Sequence, residues 1–506
     1  MNKYAQYLAT SLLFTCSSAL AEPWVDTSNI YLKSNIQMLA DSGRITTPVT
    51  TYPLMWNDID RDLKNMDTGS LSANQLDAFM HIKYQLKLAK ENNIMLRASA
   101  TNDGSRFTSF GEKNRYKHSV QAQASFMSDN FAVKLAPGYA SKQDGTEEFI
   151  VDGSYVSGFI GNWVLTLGKQ DRWWGSMWDT SYAMTNNAQP IPALSLSRKS
   201  AEPVSIPFTD LQVPWTVTTY MGVMDDERTV KDTLLWGFRL NFKPLPNLEI
   251  GVNRLAQWGG TSERFGNHPT QLCNFFDILI GKTNGETSGD STCGDGSYTL
   301  ANQQAGFDWR YSFSLANTPI SFYGNYLGED GDNNNTFGFV TKAQKQFGFD
   351  AYLNPFDIPT LAYIEYGDSL GDCGARDGIG DCFYDHSTYA TGMRYKKRTL
   401  GNLYDNDAET LVIGAISQLE NDLNITTKLR YLDLNYDNSD RAPDNPIIGN
   451  PVTAVHETMV MLSTSVEKSY KQWRVTVGGD LSHSSFENNI DDKKNINVFL
   501  DVEYIL

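Results

Sequence analysis

The sequence predicts an all-β transmembrane protein, an antiparallel outer-membrane β-barrel of about 18 strands, with a small N-terminal α-helical bundle on the periplasmic side. Three observations lead there. The hydrophobic period changes from helical to two near residue 92. The period-two segments are long, numerous and rich in aromatics near their ends. After the N-terminus, no segment approaches the roughly 18 apolar residues that a membrane-spanning helix needs.

Residues 1–21 read as a secretory signal peptide. Lys3 supplies the positive start, Leu8–Leu20 is mostly apolar, and Ala19-Leu20-Ala21 is a cleavage site. Cleavage removes one charge, Lys3, and moves the formal net charge from −17 to −18. So acidic a chain does not bind nucleic acid by releasing counterions. Residues 22–92 read as a periplasmic helical bundle. Asp26-Thr27-Ser28 can cap a helix carrying Leu32, Ile36 and Leu39. A short helix spans Asn57–Asn65, and Ser72 can cap a third helix carrying Leu76, Phe79, Met80 and Leu86.

Residues 93–506 read as the barrel. Phe307, Trp309, Tyr311 and Phe313 share one face opposite Asp308, Arg310 and Ser312. Leu234, Trp236, Phe238 and Leu240 stand opposite Gly237, Arg239 and Asn241. Strands are expected to start near 94, 116, 130, 148, 161, 190, 212, 234, 247, 304, 319, 336, 360, 408, 424, 456, 472 and 494. Short turns such as Lys243–Asn247 and Pro355–Pro359 then fall on the periplasmic side. The stretches 256–303, 328–335, 368–407, 437–455 and 483–493 fall outside. Cys273, Cys293, Cys373 and Cys382 lie in those outer stretches as two local pairs, which read as two loop disulfides. No Cys-x-x-Cys or metal-ligand spacing to a histidine supports zinc instead.

Gly367-Asp368-Ser369-Leu370 spells the serine block of GDSL-type esterases, and Asp480 and His483 offer the partners. The barrel reading opposes catalysis. Glycines 371, 374, 378 and 380 forbid the required helix after the serine. Asp480 and His483 sit an odd number apart on a strand and face opposite sides. Their strand lies about four strands from Ser369, roughly 20 Å at about 4.8 Å per strand. The expectation is a protein that is not an enzyme.

Candidate glycan-binding residues cluster at strand tops: Arg172, Trp173, Trp174 and Trp178; Arg254, Gln257 and Trp258; Glu329 and Asp330; Glu365 and Asp368. Indoles stack on sugar C–H faces while fixed polar groups read hydroxyls. The competing readings are an aromatic girdle for the tryptophans and a lumenal ion network for the charges. Residues 330–335 lack the closing acid of a calcium loop and read as a solvated turn. No cofactor is expected. Ca²⁺ or Mg²⁺ enters only as a bridge between this acidic surface and an anionic polymer.

Several stretches resemble the outer-membrane capsule-assembly family called Wzi. They are "LADSGRITTPVTTYPL", Trp173-Trp174-Gly175, "NRLAQWGG" at 253–260, "QQAGFDWRYSF", "PISFYGNYLGED" at 319–330 and "YIEYGD" at 363–368. The resemblance runs through most of the chain. It implies an 18-stranded barrel with a periplasmic helical bundle, in the bacterial outer membrane with long loops outside. It also implies a non-enzymatic surface lectin that helps retain capsular or exopolysaccharide, expected here as a monomer in outer-membrane lipid. A porin-like channel for polar solutes or saccharides is the alternative. The cysteine-bearing loops and terminal Leu506 depart from the family pattern.

Overall fold

Eighteen antiparallel strands close into one barrel in the computed structural model. It describes residues 22–91, 94–113, 115–142, 145–263, 266–267, 270–280, 293, 300–315, 318–331, 340–371, 383–487 and 490–506. The strands are β1 (Ile94–Thr101), β2 (His118–Met127), β3 (Phe131–Leu135 and Gly138–Ser141), β4 (Glu147–Ile150 and Tyr155–Ile160), β5 (Trp163–Lys169) and β6 (Pro192–Arg198). Then come β7 (Trp215–Met224), β8 (Thr233–Leu245), β9 (Leu248–Trp258), β10 (Ala301–Leu315), β11 (Thr318–Gly331) and β12 (Val340–Leu353). The last six are β13 (Thr360–Asp368), β14 (Ala408–Leu419), β15 (Leu423–Leu434), β16 (Glu457–Tyr470), β17 (Trp473–Phe486) and β18 (Lys493–Ile505). β18 closes on β1, with Phe499 opposite Thr101 and Ile505 opposite Met95. Pro137, which has no N–H to give the ladder, sits in the break of β3.

Each strand is sided as its alternation requires. In β8, Leu235, Arg239, Asn241 and Lys243 are buried inside, while Leu234, Trp236, Phe238 and Leu240 point outward. The expected starts fall within a few residues of those found; the furthest off is 336, found at 340, followed by 304, found at 301, and 212, found at 215.

Three helices lie at the short-turn end: α1 (Ile30–Asp41), α2 (Trp56–Asn65) and α3 (Ala73–Lys90). The caps differ in part from expectation. Asn29 caps α1, its side chain accepting the Leu32 amide at 3.0 Å. Asp26 instead binds the Ser28 amide at 2.9 Å. Ser72 caps α3 in a reciprocal pair with Gln75. Phe79, Ile82 and Leu86 of α3 pack with Ile36 and Leu39 of α1. Burying each stabilises by about 2 kcal/mol.

α1 is no cap on the barrel; it is enclosed by it, with every residue from Ile30 to Ala40 buried. Its polar side chains therefore need partners on the wall. Asn35 bonds Gln418 at 2.9 Å, and the Tyr352 hydroxyl donates to the Ser34 carbonyl at 3.2 Å. Asp41, ending α1, accepts from Arg310 at 2.6 and 2.9 Å. Arg310 also donates to Asp350 at 2.8 and 2.9 Å. Arg310→Ala would leave two buried carboxylates facing each other, a loss of about 3–5 kcal/mol. The variant is expected to unfold at lower temperature on a gel-shift assay, with residues 22–91 becoming sensitive to protease first. Unchanged melting and protection would contradict this anchoring.

Candidate functional site

The loop joining β5 to β6 does not rise above its strands; it turns into the lumen, and nearly all of residues 170–191 are buried. Trp173 and Trp174 extend against Tyr52 and Thr51 as a short two-stranded sheet. Gly175 follows with φ 142°, and a Cβ there would meet Ser181 Oγ at 2.6 Å, so only glycine fits the turn. Behind this sheet, Lys33 of α1 sits among three rings, 4.4 Å from Phe110, 4.6 Å from Trp173 and 4.8 Å from Trp178. Its ammonium also donates to the Met177 carbonyl at 2.8 Å. Plug and loop thus share one cation.

The wall holds the loop from the other side. Glu365 accepts the amides of Trp178 and Asp179 at 2.6 and 3.0 Å, and the Tyr323 hydroxyl at 3.2 Å. Trp178 Nε1 donates to Asp350 at 2.8 Å. Asp179 is gripped by Arg430 at 2.7 Å and also accepts from Tyr404. Burial pushes the Asp179 carboxyl up, but Arg430 and Lys428 hold it lower, at about 2. Its contribution is therefore present above the ordinary carboxylate range and lost only as pH falls toward 2.

A second segment, residues 383–407, folds over the first. Gln257 donates to the Gly392 carbonyl at 2.7 Å, and Glu329 accepts the Tyr384 amide at 3.2 Å. Arg394 clamps the segment internally, donating to Asp405 at 2.6 and 2.9 Å and to Asp385 at 2.7 Å. Ser369 is buried, and its hydroxyl takes the Ala408 amide at 3.0 Å while donating to the Ala408 carbonyl at 3.1 Å. It extends the β13–β14 pairing. Asp480 points into the barrel and receives Asn497 at 3.4 Å, whereas His483 points outward toward Asp492 at 3.7 Å. The three esterase-like residues do not meet.

The candidate glycan residues divide in a way their sequence grouping hid. Arg172, Trp173, Trp174, Trp178, Gln257, Glu329 and Glu365 converge inside the barrel, each nearly or wholly inaccessible. They join loops to wall and plug; none lies open at the mouth. Arg172 packs over Tyr220 at 4.3 Å and reaches Ser195 at 3.2 Å. Arg254 and Trp258 are not among them. Two and six residues on from the outward Val252, they project from the outer wall, because alternate residues of β9 face opposite ways. Asp368, half-buried at the top of β13, accepts the Leu370 amide at 3.0 Å. The side chain of Asp330, and Cys373 and Cys382, lie outside the described residues. Cys273 and Cys293 form a disulfide. Among the described residues, no group of three His, Cys, Asp or Glu is placed to hold a metal ion, and no helix is long and apolar enough to cross a membrane.

Sequence reasoning missed the work of the 383–407 segment and of Asp407 within it. Its carboxylate accepts the Asp437 amide at 2.9 Å, tying this segment to the loop between β15 and β16. Burial pushes Asp407 up to about 7, helped by the Asp437 charge and opposed by that amide bond.

A closed barrel filled by its own helices and inward loops defines a class, the plugged outer-membrane barrel. Comparison with known proteins carries this to a family: residues 89–498 match the model described as "Capsule assembly protein Wzi", and the chain belongs to that family. A curated relative is an uncharacterized 55.8 kDa protein in the cps region of Klebsiella pneumoniae. It is 24% identical over 302 residues, 59% of this chain and 57% of that protein, so the chain spans little more than half of that relative's length. Among solved structures, the fold matches Wzi of Escherichia coli, described as a carbohydrate-binding β-barrel involved in group 1 capsule assembly. The TM-score is 0.77 at 19% identity, covering 96% of this chain and 99% of that one. OprD of Pseudomonas aeruginosa has a TM-score of 0.46 at 12% identity, covering 82% and 92%.

The Asp407 junction makes a pH prediction. A carboxyl raised on folding stabilises below the ordinary carboxylate range, and that stability is lost as pH rises through about 7. Hydrogen exchange in 383–407 and 435–438, corrected for intrinsic rates, is expected to increase between pH 5.5 and 8, while 170–191 stays protected. Asp407→Asn should flatten that response. The same pH dependence in the variant would sink the assignment.

Proposed function

We propose that the protein is a non-enzymatic outer-membrane anchor that binds and helps retain capsular or exopolysaccharide at the cell surface, with its helices toward the periplasm and its long loops outside. The observation that carries this reading is the family match across 410 residues, from 89 to 498. The sealed interior supports it. α1, the 170–191 loop and the 383–407 segment occupy the lumen, so solutes meet no open bore among the described residues. Polymer then belongs on the outer surface. There the 435–456 loop exposes Tyr436 and Arg441, the latter bonded to the His386 and Ala390 carbonyls at 3.4 and 2.7 Å. In this reading the buried tryptophans position that surface and do not touch sugar. The acidic balance leaves Ca²⁺ or Mg²⁺ as a bridge where the polymer is itself anionic. The protein acts as a monomer in outer-membrane lipid.

Deleting the gene is expected to release polymer into the medium without stopping its synthesis. Polymer that stays on the cells would overturn the anchor. Purified protein should be electrically silent in a planar bilayer, and steady large conductance would favour the channel instead. Ser369→Ala should leave any measured hydrolysis unchanged.

A further inference from the structure

The long connection between β9 and β10 carries a helix, α4 (Leu272–Leu279), that packs on the outside of the barrel. Phe275 lies against Trp236 and Trp258 of the outer wall, ring centroids 5.4 and 5.7 Å apart. Ile278 is buried beside them. Arg254, projecting outward below, donates to the carbonyls of Ile278 and Leu279 at 2.5 and 3.0 Å. Its charge thus satisfies the C-terminal end of α4. The Cys273–Cys293 disulfide closes the connection at the first turn.

With one side fixed to the wall, the other is apolar and exposed. Leu272, Phe276, Leu279 and Ile280 fall at i, i+4, i+7 and i+8 and are 70%, 49%, 36% and 61% exposed. Height around the barrel says what covers them. Val252 and Phe307, cross-strand neighbours on the outer wall, belong to the exposed apolar band. Arg254 and Gln303, one outward position higher on β9 and two higher on β10, are polar and bond to each other. Trp236 and Trp258 stand at the level where indoles anchor barrels at the membrane boundary. α4 therefore lies where acyl chains give way to headgroups.

We infer that α4 is an interfacial helix whose Leu272–Phe276–Leu279–Ile280 face is covered by the acyl chains of outer-leaflet lipid. A short amphipathic helix lies in this position with its apolar face buried about 5–10 Å into the boundary. A second protein is the poorer occupant, since an eight-residue helix offers far less than the roughly 1,000 Å² of a stable interface. A hydroxylated polymer would find no hydrogen-bonding side chain among these four.

Photo-cross-linking tests this in whole cells. p-Benzoylphenylalanine replaces Phe276 in one strain and Tyr436, exposed in the 435–456 loop, in another. Folding is confirmed by gel shift, and Leu279 serves as the alternative position should the Phe276 variant misfold. Lipid adducts, identified by mass, are expected at the α4 position several-fold more often than at 436. Adducts with polypeptide or polymer at α4, or lipid yields no higher than at 436, would overturn the inference. The result is independent of whether the barrel binds polysaccharide.

Discussion

Arg310 shows the constraint on which the interior depends. A wall that must be apolar toward lipid is left polar toward its lumen, and those polar groups need partners or water. Here they take partners from the same chain. Arg310 joins the wall carboxylate Asp350 to Asp41 at the end of α1. Arg430 does the same for Asp179 of an inward loop, and Glu365 for the amides beside it. Each contact ties two segments distant in sequence. The plug and loops are therefore parts of one network, in which a lost partner strands a buried charge.

That network shapes what the barrel can do. Among the described residues, one cavity of about 140 Å³ remains between the plug and the wall near β1–β5, and it is charged, lined by Arg97, Lys113, Arg115, Asp152, Asp171 and Glu503. Tryptophans that look like a sugar platform are spent on holding Lys33 and Glu365. A lumen filled in this way is what motivates the proposal that polymer is held on the outer surface.

The barrel was legible in the sequence because lipid enforces period two at every strand, and short turns mark one end. α3 was legible through Ser72 at its start and the helical spacing of Leu76, Phe79 and Leu86; the reciprocal bond from Gln75 is the structure's addition. The destinations of the loops were not. Residues 170–191 and 383–407 are rich in Asn, Thr, Ser, Tyr and Asp, a composition that suits water and a polar lumen equally well. Sidedness within "RLAQW" follows from strand alternation alone. Val252 belongs to the lipid face, so 254 and 258 share it and Gln257 does not. α4 sits inside the long outer stretch 256–303, where "LCNFFDIL" carries helical spacing of its own over only eight residues.

Hydroxyl-radical footprinting of the purified barrel, with and without polymer from its own source, tests the central claim most directly. New protection is expected only in exposed outer segments such as 435–456, with Trp173, Trp174 and Trp178 unreactive in both states. Labelling of those tryptophans in the free protein that vanishes on adding polymer would show that sugar enters the lumen, and would contradict it.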